Sequence, residues 1–350
     1  MNNLPRVLIN LGKIVHNYRK IQQRCLQSGI TLTAVVKGVA GNSRIFHTLI
    51  DAGLTNIGDS RLENLAVLPS YPGVSKMLLR LPALSRIPEV VKYSDISLNT
   101  EPAALEALSR SNSPTPHRVL LMVDLGDRRE GVLEDDLLPL ARRCVQLPNI
   151  QLQGIGSNFS CFAGVKPSPA KLRKLVNLAR DIEKECGKKM EYISGGNSSS
   201  LPLLYSGEIP PGVNHLRIGE GIFLGRETLN GTILPELYHD AFIVEAEITQ
   251  AQWKPDQPDG EIGMDAFGRK PDLPKVDSGI RLLINLGHQD TPLAGLQPLN
   301  PDFRIMGGSS DYMVIAAGGN HKVGETVQFL PNYWSLLGVM TSPYVEKVYV

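Results

Sequence analysis

The stretch TLTAVVKGVAGNSR, residues Thr31 to Arg44, ends an apolar run on a lysine. Residues 31–36 are mostly small, β-branched or aliphatic, which predicts a buried strand that stops directly before Lys37. Burial disfavours the ammonium form of a lysine, so a lysine in this position can supply a neutral amine for a Schiff base. A single lysine at a strand end more commonly extends its charge into solvent. Other residues of the chain are therefore needed to distinguish a Schiff-base lysine from an ordinary surface lysine.

Seven more short β-rich runs follow, and segments with helical periodicity lie between most of them. These runs cover residues 55–59, 77–81, 95–98, 118–123, 150–156, 190–194 and 215–219. Eight strands alternating with helices over about 230 residues predict an α/β fold of the (β/α)8, or TIM-barrel, type. A doubly wound open sheet is the alternative, because periodicity alone does not distinguish an open sheet from a closed one.

The pattern changes after about Thr228. Strand-like segments separated by Gly- and Pro-rich turns occupy residues 241–253, 280–287, 312–317 and 325–330. Such spacing is typical of a mostly-β domain. We therefore expect a barrel over residues 1–228 and a smaller, mostly-β C-terminal domain over residues 229–350.

Composition restricts the classes of partner. The 36 Lys and Arg residues balance 35 Asp and Glu residues without a basic run, which argues against nucleic acid and anionic membranes. No stretch approaches the roughly 20 apolar residues of a membrane span, and the N-terminus lacks a signal-peptide pattern, so we expect a cytoplasmic protein. The four cysteines include no C-x-x-C pair, and the sequence predicts no metal site.

Polar residues follow the predicted strands, at the end where a parallel barrel carries its active site. SGGNSSSL, residues 194–201, follows the seventh strand, and RIGEG, residues 217–221, follows the eighth. Glycines, amides and hydroxyls at a helix start are typical of a phosphate site, although serine and asparagine are also ordinary helix caps. Two adjacent segments favour phosphate. With Lys37 on the first strand, they predict a site for pyridoxal 5'-phosphate (PLP).

The chain resembles the alanine-racemase-like, fold-type III PLP enzymes, and within them the subgroup that includes ornithine racemase. The resemblance covers nearly the whole chain and depends on the order and spacing of its motifs. The motifs are PRVLINLGKIVHN, AVVKGVAGN, GLTNIGDSRLEN, VDLGDRREGV, GIGSNFSCFAGV, SGGNSSSL, HLRIGEGIFLGRET, EIGMDAFG and GGSSDYMVI. The resemblance implies a PLP-dependent amino-acid racemase, an isomerase that works as a homodimer with sites shared between subunits.

The resemblance also implies a role for each barrel residue. Lys37 holds PLP covalently and moves the α-proton on one face of the amino-acid substrate, and Arg129 lies near the substrate carboxylate. The other cofactor contacts are Ser198 with Asn197 and the backbone N–H groups of Gly219 and Glu220 at the phosphate, Arg217 at the pyridine nitrogen, and Asn158 behind Arg217.

Arg217 indicates the reaction class. A guanidinium is always charged and cannot give a proton to the pyridine nitrogen, which weakens the ring as an electron sink. A weak sink suits simple proton exchange at Cα and discourages transamination and decarboxylation. The competing interpretation is a structural ion pair of Arg217 with Glu220 or Asp240.

The chain departs from the family pattern at two places. Gly41 stands where alanine racemases have a tyrosine that grips the phosphate, and GEIGMDAFG contains no tyrosine where they carry a catalytic one. A two-base racemase needs a second acid/base. We choose Asp265 over His288, Asp311 and Tyr312. Alternatively, Asp265 pairs with a cationic side chain of the substrate, which would suit ornithine or lysine.

The remaining predicted substrate contacts come from the C-terminal domain. By the family pattern, Ser310 and Asp311 in SSDY lie near the substrate carboxylate across a dimer, and Tyr344 could line the same site. The sequence thus predicts a racemase of a basic amino acid such as ornithine or lysine. The alternatives are a non-catalytic PLP carrier, or a PLP-dependent aldolase or dehydratase on D-amino acids. The sequence does not name the amino acid.

Overall fold

The computed structural model describes residues 4–111, 115–270, 274 and 276–350. These residues form two compact units. Within the described range, the barrel unit contains residues 14–37 and 41–239, and the second unit contains residues 4–13, 38–40 and 240–350. The division expected from the sequence lay after residue 228 and left the N-terminal residues with the barrel.

Local contacts explain these assignments. The Glu227 carboxylate accepts hydrogen bonds from the backbone N–H groups of Leu229, Asn230 and Thr232, which keeps the segment after residue 228 with the barrel. At the other end of the chain, Arg6–Ile9 forms strand β1, which pairs with two strands of the second unit.

The barrel unit is a closed ring of eight strands, each parallel to its neighbours. They are β2 (Thr31–Val35), β3 (Asn56–Asp59), β4 (Ser75–Leu78), β5 (Ile96–Asn99), β6 (His117–Met122), β7 (Ile150–Gly156), β8 (Tyr192–Ser194) and β9 (His215–Ile218). β9 pairs with β2 and closes the ring, with Thr33 opposite Arg217. Each predicted run overlaps one of these strands. The barrel is confirmed, and the open-sheet alternative is wrong.

Helices connect the strands. They are α1 (Leu11–Gln27), α2 (Ser43–Asp51), α3 (Leu62–Val67), α4 (Ile87–Tyr93), α5 (Pro102–Ser109), α6 (Glu134–Gln146), α7 (Pro169–Cys186), α8 (Leu201–Ser206) and α9 (Glu220–Leu224). The amphipathic α7 shows why they pack: its buried residues from Leu172 to Ile182 recur every third or fourth position. Ser168 caps α7, because its hydroxyl oxygen accepts a hydrogen bond from the Lys171 N–H.

The barrel interior is partly polar. A small apolar cluster of Met77, Ile96, Leu98, Leu120 and Met122 fills one part. Buried polar side chains from neighbouring strands fill another part, namely Thr33, Ser194, His215 and Arg217. Because side chains alternate along a strand, His215 and Arg217 of β9 lie on the same face.

The second unit is mostly β. Its strands are β1, β10 (Phe242–Lys254), β11 (Gly279–Ile284), β12 (Leu296–Pro298), β13 (Arg304–Gly308), β14 (Met313–Ala317), β15 (Thr326–Pro331) and β16 (Glu346–Tyr349). Six of them form an antiparallel sheet in the order β12-β15-β10-β11-β14-β13. β1 adds to β10 in antiparallel and to β16 in parallel orientation. This confirms the predicted mostly-β domain.

The four strand-like segments predicted for this domain correspond to β10, β11, β14 and β15. The sequence did not predict β1, β12, β13 and β16 because strands of three to five residues carry too little alternation to recognise. It also missed helix α10 (Tyr333–Thr341), whose sequence YWSLLGVMT is apolar on nearly every side and shows no helical periodicity.

No helix in the described ranges is both long and apolar enough to cross a membrane. Within the same ranges, no three His, Cys, Asp or Glu side chains are grouped so that they could hold a metal ion.

Candidate active site

Lys37 lies just beyond the carboxyl end of β2 and begins a short 3-10 turn, Lys37–Val39. It is half-buried and continues the alternation of Thr33, whose hydroxyl lies inside the barrel. Its charge acts on the Asp59 carboxyl at the end of β3 and on the Cys161 thiol after β7. Lys37 therefore lies at the barrel mouth, among the loops that follow several strands.

Asp59 is a buried carboxyl next to this lysine. One of its oxygens accepts the Arg61 N–H at 2.9 Å, and both oxygens lie 3.1 Å from the Asn64 amide nitrogen. Burial raises the pKa of Asp59 to about 6, although the hydrogen bonds from Arg61 and Asn64 and the charge of Lys37 oppose the rise.

The turns after β8 and β9 meet at Ser198. Its hydroxyl oxygen lies 3.3 Å from the backbone nitrogens of both Gly219 and Gly221 and accepts their N–H groups. The Ser198 hydrogen has no acceptor among the described residues and remains available for donation. Ser198 is itself buried.

Close packing explains the glycine at position 219. A Cβ there would lie 2.8 Å from the Val35 carbonyl oxygen of the neighbouring strand β2. Glu220 follows as the first residue of α9, so its backbone N–H has no acceptor within the helix. Burial raises the pKa of the Glu220 side chain to about 7.

Asn197 holds these turns in shape. Its side-chain oxygen accepts the Ser199 N–H at 2.8 Å, and its amide nitrogen donates to the Phe159 carbonyl at 2.9 Å. The Asn197 side chain therefore acts as a helix cap, which was the alternative interpretation of SGGNSSSL. It also connects the turn after β8 to the loop after β7.

Arg217 is 3% exposed and has only neutral acceptors. Its guanidinium donates to the Ser194 hydroxyl, to the Ser157 carbonyl at 2.9 Å and to the Asn158 side-chain oxygen at 2.6 Å. Burial lowers its pKa to about 10, which still leaves it charged at neutral pH. No carboxylate of the described residues forms an ion pair with Arg217, so the proposed pair with Glu220 is not formed. Asp240 pairs with Lys13 instead.

A buried histidine is linked to Arg217 through the Ser194 hydroxyl. His215 Nδ1 lies 2.7 Å from the Ser194 oxygen, and His215 Nε2 lies 2.8 Å from the Thr33 oxygen. Burial lowers the pKa of His215 to about 3, so the ring is neutral. Because Arg217 donates to Ser194, the Ser194 hydroxyl can donate onward to Nδ1, which places the imidazole proton on Nε2.

Asn158 connects Arg217 to the loop after β6. Its oxygen accepts from Arg217, and its amide nitrogen donates to the Glu130 carboxylate. Glu130 also forms an ion pair with Arg129. Three of the predicted residues, Asn158, Arg217 and Arg129, thus belong to one network with Glu130 at its centre.

A single carboxylate shapes the loop that carries Asn158. Asp127 is buried and accepts the backbone N–H groups of Cys161, Phe162, Ala163 and Val165 at 2.9 to 3.3 Å. The neighbouring acid Asp124 accepts N–H groups within its own turn, from Gly126 and Arg128.

The other predicted residues belong to the second unit. Asp265 accepts the backbone N–H groups of Phe267 and Arg269 and forms an ion pair with Arg269 at 3.1 Å. The backbone hydrogen bond from Arg269 is the main reason why the pKa of Asp265 is lowered. Ser310 donates to Asp311 at 2.8 Å, whereas Tyr344 exposes 67% of its surface.

Comparison with known proteins identifies the family. The family model described as alanine racemase, N-terminal domain, matches residues 9–227. The chain belongs to the alanine racemase family. It is 37% identical over 351 residues to the ornithine racemase of Acetoanaerobium sticklandii, covering 98% of this chain and 99% of that one. It is 38% identical over 354 residues to the lysine racemase of Thermotoga maritima, covering 99% and 98%.

A solved structure confirms the fold of the family. The alanine racemase from Bartonella henselae with covalently bound pyridoxal phosphate superposes with a TM-score of 0.73 at 18% identity, covering 99% of each chain. The resemblance drawn from the motifs is therefore confirmed. The predicted barrel residues all lie in the segment that the family model matches, whereas Asp265, Ser310, Asp311 and Tyr344 lie after it.

Sequence reasoning missed several residues of the site. His215 could have been found, because it stands two positions before Arg217 in the same strand and shares its face. Glu130 directly follows Arg129, but nothing in the pattern indicated that it reaches Asn158. Asp127 lies in a loop, where a buried carboxylate has no periodic signal.

Proposed function

We propose that this protein is a PLP-dependent racemase that interconverts the enantiomers of a basic amino acid, ornithine or lysine. Support for the substrate class comes from the two relatives named ornithine racemase and lysine racemase, which match this chain over nearly its full length. Support for the reaction comes from the barrel residues.

The residues present fit PLP. Lys37 would bind the cofactor aldehyde, and the Ser198 hydroxyl with the Glu220 backbone N–H would hold its phosphate. The Gly219 N–H, which donates to the Ser198 oxygen, would support that hydroxyl. Two observations support the fit: Ser198 retains a hydrogen to donate, and the hydroxyls of Ser157 and Ser199 at the ends of β7 and β8 are buried without a partner among the described residues. When bound, PLP stabilises the negative charge that develops at Cα after proton removal.

The environment of Arg217 is the observation that carries the reaction class. A buried guanidinium with only neutral oxygen acceptors stays protonated at neutral pH, so it does not act as a proton donor to the cofactor. Facing the pyridine nitrogen, it would leave that nitrogen without a proton and so limit how far PLP withdraws negative charge from Cα. Delivery of a proton to the opposite face of Cα would then give the other enantiomer, which is racemisation. Asn158 holds the guanidinium from behind.

Racemisation needs proton transfer on both faces of Cα. Lys37 is the group for one face, and we propose Asp265 for the other. Hydrogen bonds from Arg269 lower the pKa of Asp265, which favours its ionised form and makes it a weaker base than a free carboxylate. An ionised Asp265 would equally attract the side-chain ammonium of ornithine or lysine.

Substrate binding is assigned to an arginine. Arg129 would bind the α-carboxylate, with Ser310, Asp311 and Tyr344 lining the site. In the proposal the sites are shared within a homodimer, the protein acts in the cytoplasm, and no metal, nucleic acid or membrane takes part.

A chiral assay tests the proposal. Protein supplied with PLP and L-ornithine, L-lysine, L-alanine or L-serine in deuterated water should turn yellow, incorporate α-deuterium and form the D-enantiomer, fastest with ornithine or lysine. Lys37→Ala should lose the colour and the activity, whereas Lys174→Ala should keep both, because Lys174 only pairs with Glu134 on the surface.

The same assay separates the alternatives. A yellow protein that exchanges no α-proton on any amino acid would be a carrier, and formation of an aldehyde or a keto acid from D-amino acids would indicate an aldolase or a dehydratase. A colourless wild type would contradict the proposal.

A further inference from the structure

Glu130 contacts two site residues that are otherwise separate. Its Oε1 accepts from the Asn158 amide nitrogen and lies 2.6 Å from Arg129 Nη2, while Oε2 pairs with Arg129 Nε. The Glu130 side chain is only 13% exposed, and that of Arg129 is 42% exposed. A largely buried carboxylate thus joins an arginine at the surface of the mouth to an amide that reaches inside.

The chain of contacts continues to the barrel interior. The Asn158 side-chain oxygen accepts a hydrogen bond from Arg217 at 2.6 Å. Arg217 also donates to the Ser194 hydroxyl, which in turn contacts His215. Burial lowers the pKa of Arg217, and the negative charge of Glu130 opposes that shift. The arginine in the barrel is therefore linked to the arginine at the mouth through Glu130.

We infer that Glu130 is a positioning residue that couples the substrate-binding arginine Arg129 to the cofactor-facing arginine Arg217 through Asn158. This inference rests on the proposed function for the roles of the two arginines. It adds a residue to which neither the motifs nor the family comparison gave a role.

The orientation of the Asn158 amide is the first reason. An amide has one acceptor end and one donor end, and Arg217 requires the acceptor end. A carboxylate can only accept, so Glu130 takes the donor end and excludes the flipped amide, which would turn its N–H groups toward Arg217. A neutral glutamine at position 130 would accept as well as donate and would no longer enforce one orientation.

The bidentate contact with Arg129 is the second reason. Arg129 Nε and Nη2 both engage Glu130, which sets the plane of the guanidinium and leaves its other edge available for a carboxylate. Without Glu130, a side chain with this exposure would sample many rotamers, and the substrate carboxylate would have to order it on binding.

Glu130→Gln should therefore produce two losses at once. Hydrogen bonds to charged groups contribute about 1.5–3 kcal/mol, which corresponds to about tenfold to a hundredfold in an equilibrium constant. We expect a rise of that size in the dissociation constant of PLP from the cofactor-free protein, measured by spectral titration. We also expect an increase in KM for L-ornithine that exceeds the decrease in kcat.

Glu185→Gln is the matched control, because Glu185 pairs with Arg142 on the outside of the barrel. It should change neither quantity. If Glu130→Gln behaves like this control in a wild-type background that racemises, the inference is wrong and the proposed function stands. If the wild type binds no PLP, the proposed function fails and the inference fails with it.

A double-mutant cycle tests the route through Asn158. If Glu130 acts on PLP binding through Asn158, Glu130→Gln combined with Asn158→Ala should weaken PLP binding no more than about threefold beyond Asn158→Ala alone. Full additivity would overturn the route. Should Glu130→Gln fail to fold, Glu130→Asp keeps the charge at a shorter reach; it must show both losses in milder form, and wild-type values for both would refute the inference.

Discussion

Gly41 and Asn64 are packed so closely that a Cβ at position 41 would lie 2.7 Å from the Asn64 Cβ. Gly41 has a φ of +63°, and Asn64 holds the buried carboxyl of Asp59 beside Lys37. The tyrosine that the family pattern predicts at this place would therefore collide with the residue that supports Asp59. The glycine at position 41 and the buried acid belong to one packing arrangement.

Gly41→Ala should destabilise the protein for two reasons. A left-handed conformation costs a non-glycine residue about 1–2 kcal/mol, and the steric conflict with Asn64 adds to it. Gly29→Ala is the matched control, since Gly29 has a similar φ of +66° and no atom within 4 Å of the added Cβ. The free energy of unfolding, from urea denaturation, should fall further for Gly41→Ala. Equal losses would show that Asn64 yields without cost.

Asp59 should make the protein less stable as pH rises through a defined window. Its pKa is raised from 3.8 to about 6, so the folded state binds its proton more tightly than the unfolded state does. Stability from this group is present below pH 4 and is lost as pH rises to about 6, by about 3 kcal/mol at most.

Asp59→Asn removes this titration. Its free energy of unfolding relative to wild type should therefore increase between pH 4 and pH 7, measured by denaturation at four pH values. Asp181→Asn on the exposed face of α7 serves as the control and should show a flat difference. A flat difference for Asp59→Asn as well would mean that Lys37 and Asn64 fully compensate the burial.

Asp127→Asn should loosen the loop after β7. The carboxylate receives four backbone N–H groups, two at each oxygen, and an amide would turn N–H groups toward two of these donors. Buried donors left without a partner cost about 1–3 kcal/mol. Hydrogen exchange at residues 161–165 should accelerate by a corresponding factor, whereas the exposed Asp51→Asn should leave it unchanged.

Asp265→Asn decides between the two roles proposed for this acid. As the second acid/base it should lower kcat about a hundredfold or more with every substrate. As the group that binds a side-chain ammonium it should raise KM for ornithine and lysine while leaving alanine nearly unaffected. Asp259→Asn in the same exposed segment is the control. Unchanged rates in both directions with all substrates would contradict both roles.

The sequence predicted the residues that end strands, and the structure places them as expected. Lys37 after β2, Ser198 after β8 and Gly219 after β9 could be found because parallel strands of a barrel carry their functional groups at one end. The links among these residues could not be found. Asn158 meets Glu130 across 28 positions of sequence, and Asp127 meets residues more than thirty positions away, so no local pattern records either contact.

The sequence by itself determined the alternation of strands and helices, the mostly-β C-terminal part and the residue types at the barrel mouth, because these are local properties of periodicity and turn chemistry. Only the tertiary structure decided that Arg217 is held by neutral acceptors, that β1 joins the second unit, and that Asn64 occupies the space beside Gly41. Those outcomes depend on which distant segments are brought into contact when the barrel closes, and on which of them compete for the same buried space.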